Sequence, residues 1–128
     1  MTHKEVSDIA IRWFNEQERY NGWRMIPNRS GEAVFVSDKK TEAHVPYGVP
    51  PSGGGSDFML FGNSDGRFTC EFLEVKTIGY ATVSKKQRYW LGVMSGMGAN
   101  CWIFYEKKTT PFFGVARFGD YKVGMVKG

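Results

Sequence analysis

Three charged side chains stand at the ends of two strand-like segments of this 128-residue chain. Asp57 opens the first segment, and Glu74 and Lys76 close the second, which reads FTCEFLEVK. Side chains alternate along a strand, so Glu74 and Lys76 share one face, and the earlier side chains on that face are apolar. A partly buried charge costs free energy unless it is paired or bound to an ion. The charges therefore indicate either a structural Glu74–Lys76 ion pair or a site that binds an ion.

The turn between the two segments favours the ion-binding site. Asp65-Gly66 is typical of a two-residue hairpin, which predicts antiparallel pairing of residues 57–62 with residues 68–76. This register brings Asp57 to face Glu74 at the open end of the hairpin.

Two facing carboxylates repel each other unless a cation lies between them. Oxygen ligands of this kind suit Mg²⁺ or Mn²⁺, and the backbone carbonyl of Val75 could complete the protein ligands. Lys76 would then stabilise charge on a phosphate oxygen and orient a water molecule. The metal would lower the pKa of that water. These are the parts needed to hydrolyse a phosphodiester.

Helices and further strands must hold these residues in place. Apolar residues at helical spacing predict a first helix over residues 3–20, and Ser84 with Gln87 forms a capping-box pattern that opens a second helix, ending near Met97. Further short strands are predicted at residues 23–26, 33–36, 101–105 and 111–118. Residues 46–56, PYGVPPSGGGS, are predicted to form a flexible loop or a mobile flap beside Asp57. Together these elements predict a single α/β domain over residues 1–128.

Composition excludes several classes of protein. Hydrophobic residues make up 41% of the chain, which is too apolar for a disordered protein. No stretch approaches the roughly 20 apolar residues that span a bilayer, and charges interrupt the apolar pattern of the N-terminal helix, unlike a signal peptide. We therefore expect a cytoplasmic protein without a membrane partner. The net charge of +4 is compatible with a phosphate-bearing partner.

The two cysteines and the two histidines are predicted to have no role in the chemistry of the site. Cys70 and Cys101 fit no metal-ligand spacing and are predicted to be reduced, buried thiols. His3 and His44 have no partner pattern that would indicate a general base, so both are predicted to lie on the surface.

The ordered set of motifs resembles the PD-(D/E)XK nuclease superfamily, in particular its small VRR-NUC (virus-type replication-repair nuclease) branch. The residues that carry the resemblance are Gly55-Ser56-Asp57-Phe58, then Glu74-Val75-Lys76, then Ser84 with Gln87. Ser56 departs from the pattern, because many relatives have Pro at this position. The resemblance implies a restriction-endonuclease-like core, a mixed β-sheet flanked by helices in αβββαβ order.

The resemblance also implies roles for individual residues. Asp57 and Glu74 become metal ligands with the Val75 carbonyl, and Glu5 matches an acidic residue that many relatives place beside the metal. Glu5 could instead cap its own helix through Thr2.

Two more positions match the catalytic set. Lys76 becomes the group that orients water or stabilises charge. Gln87 becomes a catalytic helper at the helix start, or it serves only as the capping-box partner of Ser84.

Basic residues crowd the first turn of the second helix, where the helix dipole disfavours them. A phosphate chain that passes this helix end would turn that cost into attraction. We therefore expect nucleic-acid contacts from Ser84, Lys85, Lys86 and Arg88, together with Tyr80. Further candidates for backbone contact are Arg24, Arg29, Lys39 and Lys40.

The sequence thus predicts a Mg²⁺- or Mn²⁺-dependent endonuclease that hydrolyses DNA phosphodiester bonds. The resembled branch implies a structure-selective substrate, such as branched, flapped or junction DNA, in phage or bacterial DNA replication, repair or recombination. Cutting both strands would need two active sites, which predicts a homodimer. The alternatives are a non-catalytic nucleic-acid-binding domain of the same fold, and an α/β domain in which Glu74 and Lys76 form only a structural pair.

Overall fold

The computed structural model describes the backbone of residues 1–29, 32–36, 42–46 and 56–127, and the side chains of residues 1–27 and 56–126. The helices of this part are α1 (His3–Glu16), α2 (Lys85–Gly96) and α3 (Gly124–Lys127). Short 3₁₀ turns lie at Glu18–Tyr20 and Phe118–Asp120. The strands are β1 (Arg24–Arg29), β2 (Glu32–Val36), β3 (Glu42–Pro46), β4 (Phe58–Ser64), β5 (Arg67–Lys76), β6 (Asn100–Glu106) and β7 (Phe113–Arg117).

The described strands form one mixed sheet in the order β3-β2-β1-β4-β5-β6-β7. β5 and β6 run parallel, and α2 lies between them in the chain, as a parallel connection requires. The other neighbouring pairs are antiparallel. The far end of β1 also pairs with β2, and β2 pairs with β3. The predicted α/β class with a mixed sheet flanked by helices is confirmed, whereas β3 and α3 were not predicted.

The β4–β5 hairpin has the predicted turn. Its register runs from Ser64↔Arg67 at the turn to Phe58↔Leu73 at the open end. Asp65 and Gly66 both have positive φ, 52° and 80°, as the central residues of a type I′ turn require. The turn chemistry therefore fixes which residues meet at the open end.

α1 follows the prediction at its start and stops earlier than predicted. Thr2 and Glu5 form a capping box, and the buried stripe of the helix packs on the sheet. The helix ends at Glu16 because Gln17 adopts an extended backbone, and a 3₁₀ turn at Glu18–Tyr20 replaces the last predicted turn.

Each face of the sheet carries its own hydrophobic core. The core beneath α1 contains Val6, Ala10, Phe14, Phe58, Leu60, Leu73, Val75 and Phe104. The core beneath α2 contains Met59, Phe72, Val83, Trp90, Leu91, Cys101 and Ile103. β5 contributes to both, which explains why this strand is apolar on both faces. Glu74 and Lys76 lie on the α2 side of the sheet.

Cys101 is buried, Cys70 is half-buried, and both are free thiols, as predicted. Within the described residues no helix is both long and apolar enough to cross a membrane. Residues 47–55, nearly all of the predicted loop or flap, lie outside the described residues.

The close packing of Trp23 against β4 gives a test of the fold. A Cβ at Gly62 would overlap the Trp23 ring, so we expect Gly62→Ala to lower the free energy of unfolding by about 1–3 kcal/mol. Gly92→Ala is the matched control, because Gly92 lies in α2 with nothing within 4 Å of its added Cβ. It should raise the free energy of unfolding by about 0.5–1 kcal/mol. Urea denaturation measures both, and an unchanged stability for Gly62→Ala would contradict this packing.

Candidate functional site

The open end of the β4–β5 hairpin brings Asp57 to the end of β5. Continuing the Phe58↔Leu73 register by one residue sets Asp57 across from Glu74. The backbone N–H of Val75 donates to Asp57 Oδ2 at 2.8 Å, which ties this side chain to the neighbouring strand.

The carboxyl groups of Asp57 and Glu74 are hydrogen-bonded to each other. Burial and then this hydrogen bond raise the pKa of Glu74 well above its ordinary value. For Asp57, burial disfavours the charged form, but hydrogen bonds from Glu74, His3 and Val75 outweigh it, so the pKa of Asp57 is lowered. The two neighbouring carboxyl groups therefore oppose each other's ionisation, and the charged form is more favourable at Asp57 than at Glu74.

Gln87 connects Lys76 and Glu74 through hydrogen bonds. Its Oε1 accepts a hydrogen bond from Lys76 Nζ at 3.0 Å, and its Nε2 donates to Glu74 Oε2. Lys76 Nζ itself lies 4.0 Å from Glu74 Oε2. The four residues Asp57, Glu74, Lys76 and Gln87 thus form one connected cluster.

The same glutamine caps α2. The Ser84 hydroxyl accepts from the Gln87 N–H, and Gln87 Oε1 accepts from the Ser84 N–H, both at 3.1 Å. The two interpretations of Gln87 therefore do not exclude each other. The capping box fixes the rotation of the first turn of α2, and this rotation aims the Gln87 amide at Glu74 and Lys76.

His3 is the residue that the sequence prediction missed. Its Nε2 lies 3.2 Å from Asp57 Oδ2, and this hydrogen bond raises the pKa of His3. Its Nδ1 lies 3.5 Å from the Ser7 hydroxyl. The side chain is half-exposed, so His3 lies on the surface as predicted, and it also contacts the site. No spacing motif links position 3 to position 57, so only the packing of α1 on the sheet reveals the contact.

Glu5 takes the second of its two predicted positions. Its carboxylate accepts from the Thr2 N–H at 3.0 Å and is fully exposed, so it does not join Asp57 and Glu74. The placement of Glu5 beside the metal site, which the resemblance implied, does not fit this geometry.

The donors at the site are oxygen atoms suited to Mg²⁺ or Mn²⁺. Among the described residues, no group of three or more His, Cys, Asp or Glu could hold a metal ion. Mg²⁺, however, commonly uses one or two carboxylates and keeps several waters. Asp57 and Glu74 supply the carboxylates, and the Val75 carbonyl points to the same side as the Val75 N–H that contacts Asp57. The residues fit an ion with few protein ligands.

A basic surface adjoins the site on α2. Lys85, Lys86 and Arg88 are exposed on the first turn, which carries no acidic residue. The chain has no Asp or Glu at any position between Glu74 and Glu106, so nothing on α2 offsets these charges.

Tyr80 follows β5 in a tight turn and is 79% exposed. Of the four weaker candidates, Arg24 is exposed on β1, and the side chains of Arg29, Lys39 and Lys40 lie outside the described residues, as does that of His44.

Glu71, three residues before Glu74, lies on the other face of β5, as the alternation predicted. It is fully buried and accepts hydrogen bonds from Tyr20, Asn100 and Trp102 at 2.7–3.0 Å, and a further one from Arg19. Neighbouring donors satisfy both of its carboxyl oxygens, so Glu71 has a structural role.

Comparison of the chain with models of protein families, with curated proteins and with solved structures found no match. The geometry of the site is therefore the basis for any functional conclusion.

The opposite pKa shifts of Asp57 and Glu74 predict opposite effects from two isosteric substitutions in EDTA. The raised pKa of Glu74 means that its contribution to stability is present below about pH 4.5 and is lost as pH rises through the raised value. Glu74→Gln stays neutral and should remove this loss, so the variant should be more stable than the wild type at alkaline pH. Asp57 has a lowered pKa, so its contribution is present above pH 3.8 and lost on acidification. Asp57→Asn should therefore lower stability at neutral pH by about 1.5–3 kcal/mol, the range for hydrogen bonds to a charged group.

Thermal unfolding of the three proteins between pH 4 and pH 9 measures both effects. Equal destabilisation by the two substitutions at every pH would contradict the opposite pKa shifts of the two carboxyl groups.

Proposed function

We propose that this chain is a Mg²⁺- or Mn²⁺-dependent endonuclease that hydrolyses DNA phosphodiester bonds on a restriction-endonuclease-like core of the VRR-NUC type. The observation that carries the proposal is the convergence of Asp57, Glu74 and Lys76 on one cluster held by Gln87. A structural ion pair would need neither Asp57 nor a second, neighbouring carboxyl group.

In this proposal Asp57, Glu74 and the Val75 carbonyl hold the metal. A bound Mg²⁺ or Mn²⁺ would polarise a phosphoryl oxygen and lower the pKa of a water molecule. Lys76, fixed by its hydrogen bond to Gln87, donates to the phosphate oxygen on which charge develops. His3 orients Asp57 through its contact with Oδ2.

The exposure of the cluster gives the direction of approach. The Asp57 side chain is 25% exposed and that of His3 is 50% exposed, whereas Glu74 and Lys76 are 1% and 7% exposed as residues. The scissile phosphate therefore approaches from the side of Asp57 and His3. Glu74 must release its proton when a cation enters, which makes metal binding stronger as pH rises.

The basic first turn of α2 supports a nucleic-acid substrate. Its residues suit phosphate contact and form no base-reading motif, so we expect recognition of backbone and shape. The resembled branch favours branched, flapped or junction DNA in phage or bacterial replication, repair or recombination, in the cytoplasm. A homodimer would supply the two active sites needed to cut both strands.

A non-catalytic nucleic-acid-binding domain is the second candidate. It is favoured by the burial of Glu74 and Lys76, whose polar groups are bonded within the cluster without an ion. The two candidates differ in whether DNA is cut or only bound.

Metal-dependent cleavage is the first test. The protein should cut plasmid or branched DNA with Mg²⁺ or Mn²⁺ and not with EDTA. Lys76→Ala should lower the cleavage rate by about 10²–10³-fold because it removes one stabilising charge from the transition state. Lys85→Ala is the matched control, since Lys85 is exposed on α2 and does not contact the cluster. It should weaken binding and leave the rate at saturating DNA unchanged.

DNA binding without any cutting by the wild-type protein would support the non-catalytic domain. Neither binding nor cutting would leave only a structural role for the cluster.

The double role of Gln87 predicts a difference between two equivalent helix caps. Ser84→Ala and Thr2→Ala each remove a capping-box hydroxyl and should each lower stability by about 1 kcal/mol. Only Ser84 holds Gln87, so Ser84→Ala should also slow cleavage, by about 10-fold or more, as loss of an orienting contact does. Unfolding and cleavage rates are measured at a temperature where all proteins are folded. Equal cleavage rates for the two variants would show that the Ser84 cap does not position Gln87 for the reaction.

A further inference from the structure

A cavity lined by both polar and apolar side chains lies near the candidate site. It has a volume of about 320 Å³ and lies between the start of α2 and the segment of residues 118–123. Arg88 of α2 and Lys122 of the C-terminal segment both line it. Arg88 directly follows Gln87, so the cavity adjoins the site along the first turn of α2.

The two cations that line the cavity, Arg88 and Lys122, have no acidic partner among the side chains that the structure describes. Asp120 is the acidic residue nearest to Lys122 in the chain, but it lines a different depression, together with Asn100 and Arg117. Two like charges at one cavity repel each other, so the cavity favours an anion.

Packed side chains form the rest of the wall. Val83 is 7% exposed and belongs to the core beneath α2, against which Phe118 and Tyr121 also pack. The Tyr121 hydroxyl donates to the Ala81 carbonyl, which fixes the C-terminal segment to the loop before α2. The shape of the cavity is therefore set by the fold, and only the two cationic side chains are exposed.

We propose that this cavity binds the terminal phosphate of a nucleic-acid strand. A terminal phosphate monoester carries about −1.5 to −2 charge at neutral pH, whereas an internal phosphate carries one negative charge. Two uncompensated cations match the monoester. The guanidinium of Arg88 suits two phosphate oxygens at once, and the Lys122 ammonium adds a point charge. The inference rests on the proposed nuclease function and specifies its substrate as DNA with a phosphorylated end near the cut.

Binding of end-labelled DNA tests the cavity without cleavage. Three oligonucleotides of one sequence carry a 5′-phosphate, a 3′-phosphate or hydroxyl groups at both ends, with a fluorophore at an internal base, and binding is measured in EDTA. The wild type should bind one of the phosphorylated forms about 10- to 100-fold more tightly than the hydroxyl form, the range for hydrogen bonds to a charged group. The preferred form identifies which end is recognised.

Variants of the two cavity residues test whether the preference for a phosphorylated end arises in the cavity. Arg88→Gln and Lys122→Gln should each reduce it, whereas Lys108→Gln should lower all three affinities equally, because Lys108 is an exposed cation on the turn between β6 and β7 and lies away from the cavity. Both cavity residues are exposed, so folding should be unaffected, and a thermal unfolding curve checks this.

Equal affinity for the three forms, or a preference that survives in both cavity variants, would overturn the cavity proposal and leave the nuclease proposal standing if DNA is still cut with Mg²⁺. A preference that depends on Arg88 and Lys122, in a protein that cuts nothing, would support the cavity and overturn the nuclease. An absence of binding to all three forms would overturn the cavity proposal, and the cleavage of branched DNA with Mg²⁺ would then decide the nuclease proposal.

Discussion

The hydrogen bond between the buried carboxyl groups of Asp57 and Glu74 is the constraint on which the site depends. It exists because the hairpin register sets the two residues across from each other, and, together with burial, it raises the pKa of Glu74 well above its ordinary value. Each neighbouring contact fixes one member: the Val75 N–H and His3 hold Asp57, while Gln87 holds Glu74. A divalent cation between them would favour the charged form of both carboxylates.

Glu71 shows what a buried carboxylate looks like when its role is structural. It receives hydrogen bonds from donors on two neighbouring elements, the 3₁₀ turn at Glu18–Tyr20 and β6, and the Arg19 guanidinium forms an ion pair with it. Glu74 lies three residues later on the opposite face, and its nearest amine, Lys76 Nζ, is 4.0 Å away and bonded to Gln87. The same strand therefore carries one carboxyl group that pairs with an arginine and one whose pKa is raised by burial and by a neighbouring carboxyl group. That difference, more than burial, separates the candidate site from the rest of the core.

Whether the sequence predicts an interaction depends on how far apart its residues lie along the chain. The Asp65-Gly66 turn and the Ser84–Gln87 capping box are local signals, and they correctly predicted the hairpin register and the start of α2. The His3–Asp57 contact spans 54 residues and depends on how α1 lies on the sheet, which no local pattern specifies. β3 was missed because it has only five residues, EAHVP, and ends in Pro46, the first residue of the proline- and glycine-rich segment that was predicted to be a loop. The restriction-endonuclease-like core and the metal chemistry stay predictions, because the contacts between the described side chains do not test them.

The first turn of α2 connects the geometry of the site with an unfavourable placement of basic residues at a helix start. Lys85, Lys86 and Arg88 stand at the positive end of the helix dipole without an acidic residue to offset them. The Ser84–Gln87 capping box compensates this cost by satisfying backbone donors, and it thereby commits the Gln87 side chain to the orientation that reaches Glu74 and Lys76. A helix selected for stability alone would carry Asp or Glu in this turn, which would repel a phosphate chain. The observed turn gives up that stabilisation and keeps an uncompensated positive charge beside a carboxyl cluster. This combination is the one expected where an anionic polymer and a metal-binding pair of carboxylates must meet.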